Sequence, residues 1–88
     1  MTTVYTLVDK YYLSHDFKNL RDETKAQYKY FMSVFLSTEI DGTCIGDMRY
    51  AKVTTKRAKL CYDMWCDRGI PFANHIMGVA RILFNFAL

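Results

Sequence analysis

Apolar residues recur along this chain at the spacing of helix faces. Val4, Leu7, Val8 and Tyr11 stand at i, i+3, i+4 and i+7, which is one side of a first helix. Thr6 with Asp9 three residues on is a variant of the capping box and predicts a start at Thr6. The stretch from Ser14 to Asn19 breaks the pattern and reads as a connection. A second helical stripe follows at Tyr28, Phe31, Met32, Phe35 and Leu36, with Asp22 as its expected N-cap and Glu23 favourably placed at the positive end of the dipole. Arg21, Lys25 and Lys29, spaced by four, form a basic row beside that stripe.

From Ser37 to Val53 the periodicity dissolves around Gly42, Gly46 and two aspartates, and an extended piece is expected at Tyr50 to Val53. A third helix is expected from Thr54 or Thr55 to Arg68, with Ala58, Cys61, Tyr62 and Trp65 on its core face. Gly69 would end it in a left-handed conformation. Ile70-Pro71 then opens a fourth helix, Pro71 taking the first helical position, where its missing N–H is harmless. Its core stripe is Phe72, Ile76, Val79, Ala80, Leu83, Phe84 and Ala87; Asn74, Gly78, Arg81 and Asn85 make a polar row. The expected architecture is all-α, with four helices and almost no strand.

The fourth helix also carries Met77, Ile82, Phe86 and Leu88, so it is apolar over much of its circumference. It reaches Phe86-Ala87-Leu88 with no Gly, Asn or basic C-cap. A helix apolar on two sides is expected to have a second neighbour, and the chain reads as a piece of a longer protein.

Composition sharpens this picture in a few places. A chain of 88 residues that is 51% hydrophobic builds one domain and one core, residues 1–88. That size weighs against a self-contained enzyme, which needs walls and a floor around its site. No apolar run approaches the ~20 residues of a membrane span, and Met1-Thr2-Thr3-Val4 does not start like a signal peptide. Three cysteines, an odd number, fit a reducing, cytoplasmic compartment better than a disulfide framework.

Cys44, Cys61, Cys66, His15 and His75 lack the close pairing of zinc ligands, and Cys61 falls on a core stripe. Cys66 and His75 could be imagined as nucleophile and base, but no third group orients them and no glycine-rich phosphate loop is present. The expectation is a non-enzyme without metal or cofactor.

Charge placement says more than the net charge of +3. Between Asp47 and Asp63 the charged residues are Arg49, Lys52, Lys56, Arg57 and Lys59, all basic. Such clusters neutralise phosphates and release counterions, while polar residues at helix starts add phosphate or base-edge contacts. Thr24, Gln27, Thr54, Thr55, Asn74 and His75 are such residues. For any one basic residue a solvated helix face accounts better for the charge; two groups with polar helix starts point to DNA.

The order of these pieces resembles a known family. A Thr6-Leu7 start precedes Thr24-x3-Tyr28; Ile45-Gly46-Asp47-Met48-x4-Val53-Thr54 leads into the third helix. Tyr62-x2-Trp65-x2-Arg68-Gly69 then runs into Ala73-Asn74-His75 and Leu83-Phe84-x-Phe86-Ala87. From Thr6 to Leu88 this is similar to the N-terminal SAM-like, core-binding domain of phage integrases, the tyrosine recombinases. The resemblance implies a four-helix SAM-like bundle that closes on one side of a DNA duplex, opposite a catalytic domain of the same polypeptide and alongside other integrase protomers.

It further implies a phage or prophage protein acting in a bacterial cytoplasm. The family's catalytic Arg, Lys, His-x-x-Arg and Tyr set is not found in these residues. By resemblance, DNA contacts fall at the start of the second helix, here Glu23, Thr24, Lys25 and Gln27, with Lys25 and Lys29 able to carry the phosphate contact, and of the fourth, here Asn74 and His75. Glu23 departs from the basic residue common near that position, and its charge would repel phosphate. Lys52, Lys56, Arg57 and Lys59 are backbone-contact candidates independent of the family. The alternative is a small helical interaction module that docks a partner through its apolar fourth helix; a cysteine-based redox or metal protein is the weakest reading.

Overall fold

The computed structural model describes residues 3–87. Its elements are α1 (Val4–Tyr12), α2 (His15–Lys18), α3 (Asp22–Ser37), a hairpin of β1 (Glu39–Ile40) and β2 (Thr43–Cys44), α4 (Thr55–Cys66) and α5 (Ile70–Ala87). Two 3₁₀ turns, Ile45–Asp47 and Tyr50–Lys52, join the hairpin to α4. The protein is mostly helical; among the described residues there are four helices of two turns or more and a fifth, α2, of one turn.

Helix α1 begins two residues earlier than its expected start at Thr6. Thr3 is the N-cap, its Oγ1 accepting from the Thr6 N–H at 3.2 Å, and Thr6 lies inside the first turn. A long-range tie decides between the two threonines: the Val4 N–H donates to the Met48 carbonyl at 2.9 Å, and Thr3 bridges to Arg49. The expected connection at 14–19 contains α2. Ser14 caps it by accepting from the Phe17 N–H, and Phe17 is buried edge-on against Tyr11 at 5.5 Å and beside Tyr12 at 4.8 Å.

Asp22 is the first helical residue of α3 rather than its cap; Arg21 holds the N-cap position without a side-chain hydrogen bond. There Asp22 and Glu23 both lie in the first turn and complement the dipole. Met32, Phe35 and Leu36 are buried as expected, with Tyr28 and Phe31 half-buried beside them.

The segment 37–53 is more ordered than its lack of periodicity suggests. Asp41 and Gly42 have φ of 53° and 82°, and the flanking residues pair as Glu39 with Cys44 and Ile40 with Thr43. Both central residues left-handed is the turn that matches the twist of a two-residue hairpin. Residues 50–52 form a 3₁₀ turn in place of the expected extended piece, because the Lys52 and Val53 N–H groups bond back to the carbonyls of Arg49 and Tyr50.

Helix α4 is capped by Thr54, which accepts from the Arg57 N–H, and its last helical residue is Cys66, two before Arg68. Gly69, at φ 122°, makes the turn into α5 as expected. Ile70 is the first residue of α5 and Pro71 the second. Cys61 and Trp65 are the buried residues of α4, and the Trp65 Nε1–H donates to Thr38 Oγ1 at 3.0 Å. Thr38 Oγ1 in turn donates to the Val34 carbonyl at 2.8 Å, which locks α4 to the end of α3.

Helix α5 is the centre of the fold, with α1, α3 and α4 all packed on it. Ala73, Ile76, Val79, Ala80 and Leu83 are buried, while Phe72, Met77, Ile82, Phe84 and Ala87 pack half-buried on the core. Most of its apolar circumference is met inside the domain by α1, α3 and α4, while Ile70 and Phe86 stay exposed. Phe86 sets its edge against Tyr11 at 5.5 Å; Leu88 lies outside the described residues. Among the described residues, no helix is long and apolar enough to cross a membrane.

Candidate nucleic-acid interface

The ten residues singled out from the sequence fall into separate groups. Lys52, Lys56 and Arg57 come together: with Thr54, Ile40 and Asp41 they line a hollow of about 530 Å³ between the hairpin turn and the start of α4. Arg49 and Lys52 line an adjoining recess with Asp41 and Arg57, so four cations surround one acid. The Arg57 guanidinium donates to the Lys52 carbonyl at 2.9 Å, which fixes the 3₁₀ turn against the helix. Lys59 is exposed on α4 and does not line this hollow.

The first turn of α4 carries no acidic residue and holds Lys56 and Arg57. Cations at the positive end of a helix dipole are unfavourable by roughly 0.3–1 kcal/mol each at exposed sites. The arrangement opposes helix stability locally and concentrates positive charge at this end of α4.

A second group forms where α3 crosses α5. Gln27, Tyr28, Phe31, Asn74, His75 and Gly78 line a hollow of about 180 Å³. The His75 ring stacks on Phe31 with centroids 5.1 Å apart and planes 8° from parallel. The Tyr62 hydroxyl donates to Asn74 Oδ1 at 2.9 Å, so the Asn74 amide group faces outward as a donor. Burial first, then the neighbouring Cys66 and the Asp63 carboxylate, push the Tyr62 phenol above its ordinary value. Phe31 and Tyr62 were legible only as core residues; nothing in the spacing marked them as supports for His75 and Asn74.

Lys25 and Lys29 do not join Gln27. On a helix, residues two apart point to opposite sides. Lys29 instead extends its ammonium over the rings of Tyr12 and Phe17, 5.8 and 5.9 Å from their centroids. Thr24 and Lys25 are half-buried in the first turns of α3. Arg68, outside the expected set, covers the Phe72 ring at 4.3 Å.

Among the described residues, no three His, Cys, Asp or Glu side chains gather as metal ligands. Burial pushes the Cys61 thiol above its ordinary value, which disfavours the reactive thiolate. No family model, curated protein or solved structure matches the chain.

Proposed function

We propose that this chain is a helical DNA-binding module that holds duplex DNA mainly through its phosphates. The carrying observation is the hollow at the start of α4, where Lys52, Lys56 and Arg57 converge with Arg49 at the positive end of a helix whose first turn has no acid. An anionic backbone laid there relieves the repulsion among these cations and satisfies the helix end together. Gln27, Asn74 and His75 supply a second, polar contact surface with donors held by Tyr62 and Phe31.

The motif order described above supports a narrower form of this reading: a SAM-like core-binding domain of a phage-type integrase. In that form the domain is not itself an enzyme. It grips core-site DNA in the cytoplasm of a bacterial host while a catalytic domain of the same polypeptide, with other protomers, carries out integration. The competing interaction-module reading relied on an unpartnered last helix, and α5 spends its apolar sides on α1, α3 and α4.

An amide chemical-shift titration of the labelled protein with a short random-sequence duplex, at low and at high salt, tests the proposal. Salt-sensitive shifts at residues 49–59, with smaller ones at Gln27, Asn74 and His75, are expected. Unmoved amides at low salt, with the protein folded, would remove non-specific DNA binding from consideration.

A further inference from the structure

The outward face of α4 has a pattern that the core does not use and the DNA reading uses only at its basic end, where Lys56 and Leu60 also line the hollow. Lys56, Leu60, Asp63 and Asp67 follow at i, i+4, i+7 and i+11, opposite the buried pair Cys61 and Trp65, with Lys59 and Met64 on the flanks. All six are exposed, Leu60 at 52% and Met64 at 51%. The face is basic near the N-terminus, apolar in the middle and acidic near the C-terminus. Both charged ends therefore oppose the helix dipole, which favours acids first and bases last. Lys59 preceding Asp63 is also the weaker order for an i, i+4 pair.

An antiparallel copy of the same helix corrects every one of these conflicts. It brings Asp67 over Lys56, Asp63 over Lys59 and Met64 over Leu60, and all three matches fall within about 1.5 Å of a single register along the axis. It also lays the negative end of one dipole beside the positive end of the other. The matching is reciprocal, as two-fold symmetry requires.

We propose that this face of α4 is a self-association surface, pairing two copies of the chain antiparallel about a two-fold axis near Leu60 and Met64. Two twelve-residue helices expose less area to each other than the ~1,200 Å² of a standard interface, so the dimer belongs to the weak, transient class. Its ion pairs lie at the rim and set orientation and salt sensitivity, while Leu60 and Met64 exclude water between them. This association does not depend on the DNA reading. Lys56 and Lys59 serve either partner, however, so duplex DNA and a second copy compete for them.

The test is sedimentation of the full chain over a series from about 10 µM to about 1 mM at low salt, a range that detects weak complexes. A concentration-dependent monomer–dimer equilibrium is expected. Two charge reversals follow: Lys56→Glu with Lys59→Glu, and Asp63→Lys with Asp67→Lys. Each makes the face one sign and brings one end of α4 into line with its dipole. Each variant should therefore melt no lower than the parent, yet associate at least ~10-fold more weakly, since rim pairs turn from attractive to repulsive.

Mixed in equal amounts, the all-acidic and all-basic faces should dimerise again, and more tightly than the parent. A parent monomeric throughout the series overturns the proposal. So does a parent dimer that both variants retain, or a mixture that stays monomeric. The Asp63→Lys, Asp67→Lys variant keeps every cation of the α4 hollow, so retained DNA binding in it separates the two surfaces.

Discussion

Replacing Lys52, Lys56 and Arg57 together by glutamine removes three of the four cations around the hairpin hollow and leaves Arg49 facing Asp41. Each phosphate neutralised on duplex DNA contributes about 0.9 to the slope of log K against log salt, so three contacts account for a slope of about 2.7. Between about 50 and 200 mM salt that slope is a factor of roughly 40 in affinity. Fluorescence anisotropy of a labelled duplex, titrated at a series of salt concentrations, reads the slope directly. The parent should lose about 40-fold more affinity than the variant across that window.

The Arg57 bond to the Lys52 carbonyl is lost as well, so a variant with only Lys52→Gln and Lys56→Gln keeps the tie and should show about two thirds of the slope change. Equal slopes for parent and triple variant, both folded, would refute the assignment of phosphate contacts to this hollow. The converse substitution sharpens the test. Asp41→Asn removes the one acid facing these cations, and asparagine tolerates the left-handed φ of 53°. It should tighten binding at low salt and lose that advantage as salt screens the site.

Further expected outcomes concern the scaffold. Gly69→Ala places a Cβ at φ 122° and should cost about 1–3 kcal/mol in urea denaturation. Thr38→Val strands the buried end of the Trp65 Nε1–H and should cost about 1–3 kcal/mol, with a changed emission from the single tryptophan. Met32→Ala empties a fully buried site and should cost about 2–5 kcal/mol.

Stability should also fall in alkali. Burial raises Cys61 above its ordinary 9.0 and, as the leading cause, Tyr11 and Tyr12 above 10.0. The folded state then holds protons that the unfolded chain has lost, so this contribution is full below about pH 9 and declines as pH rises through the raised values. Urea midpoints at stepped pH, with tyrosinate absorbance near the upper end, check the sign.

The long helices were legible because their burial is periodic: Val4, Leu7, Val8 and Tyr11 are all buried, and so are Met32, Phe35 and Leu36. Their starts were less so, because Thr3 and Thr6 both have capping side chains, and the tie from Val4 to Met48 lies far along the chain. The hairpin carried a local signal in Asp41-Gly42 between short β-forming stretches, but two-residue strands show no alternation to support it. Helix α2 is too short for periodicity and depends on Phe17 finding Tyr11 and Tyr12.

The site divides along the same line. The basic cluster at 49–59 is contiguous in sequence and therefore visible there, whereas the pairing of Gln27 with Asn74 and His75 depends on how α3 crosses α5. The charge order along α4 had been legible all along, but its meaning required the helix's outward side. Cys61 and Trp65 are buried, as their stripe predicts, but Ala58 and Tyr62 are only half-buried, and Lys56, Leu60, Asp63 and Asp67 form one exposed surface with two opposed ends. A polarity that weakens an isolated helix at both ends gains a physical reason when a negative partner meets its start and a positive one its finish. DNA supplies the first of these and an antiparallel copy supplies both, so the Asp63→Lys, Asp67→Lys variant separates the two: it should retain DNA and lose its twin.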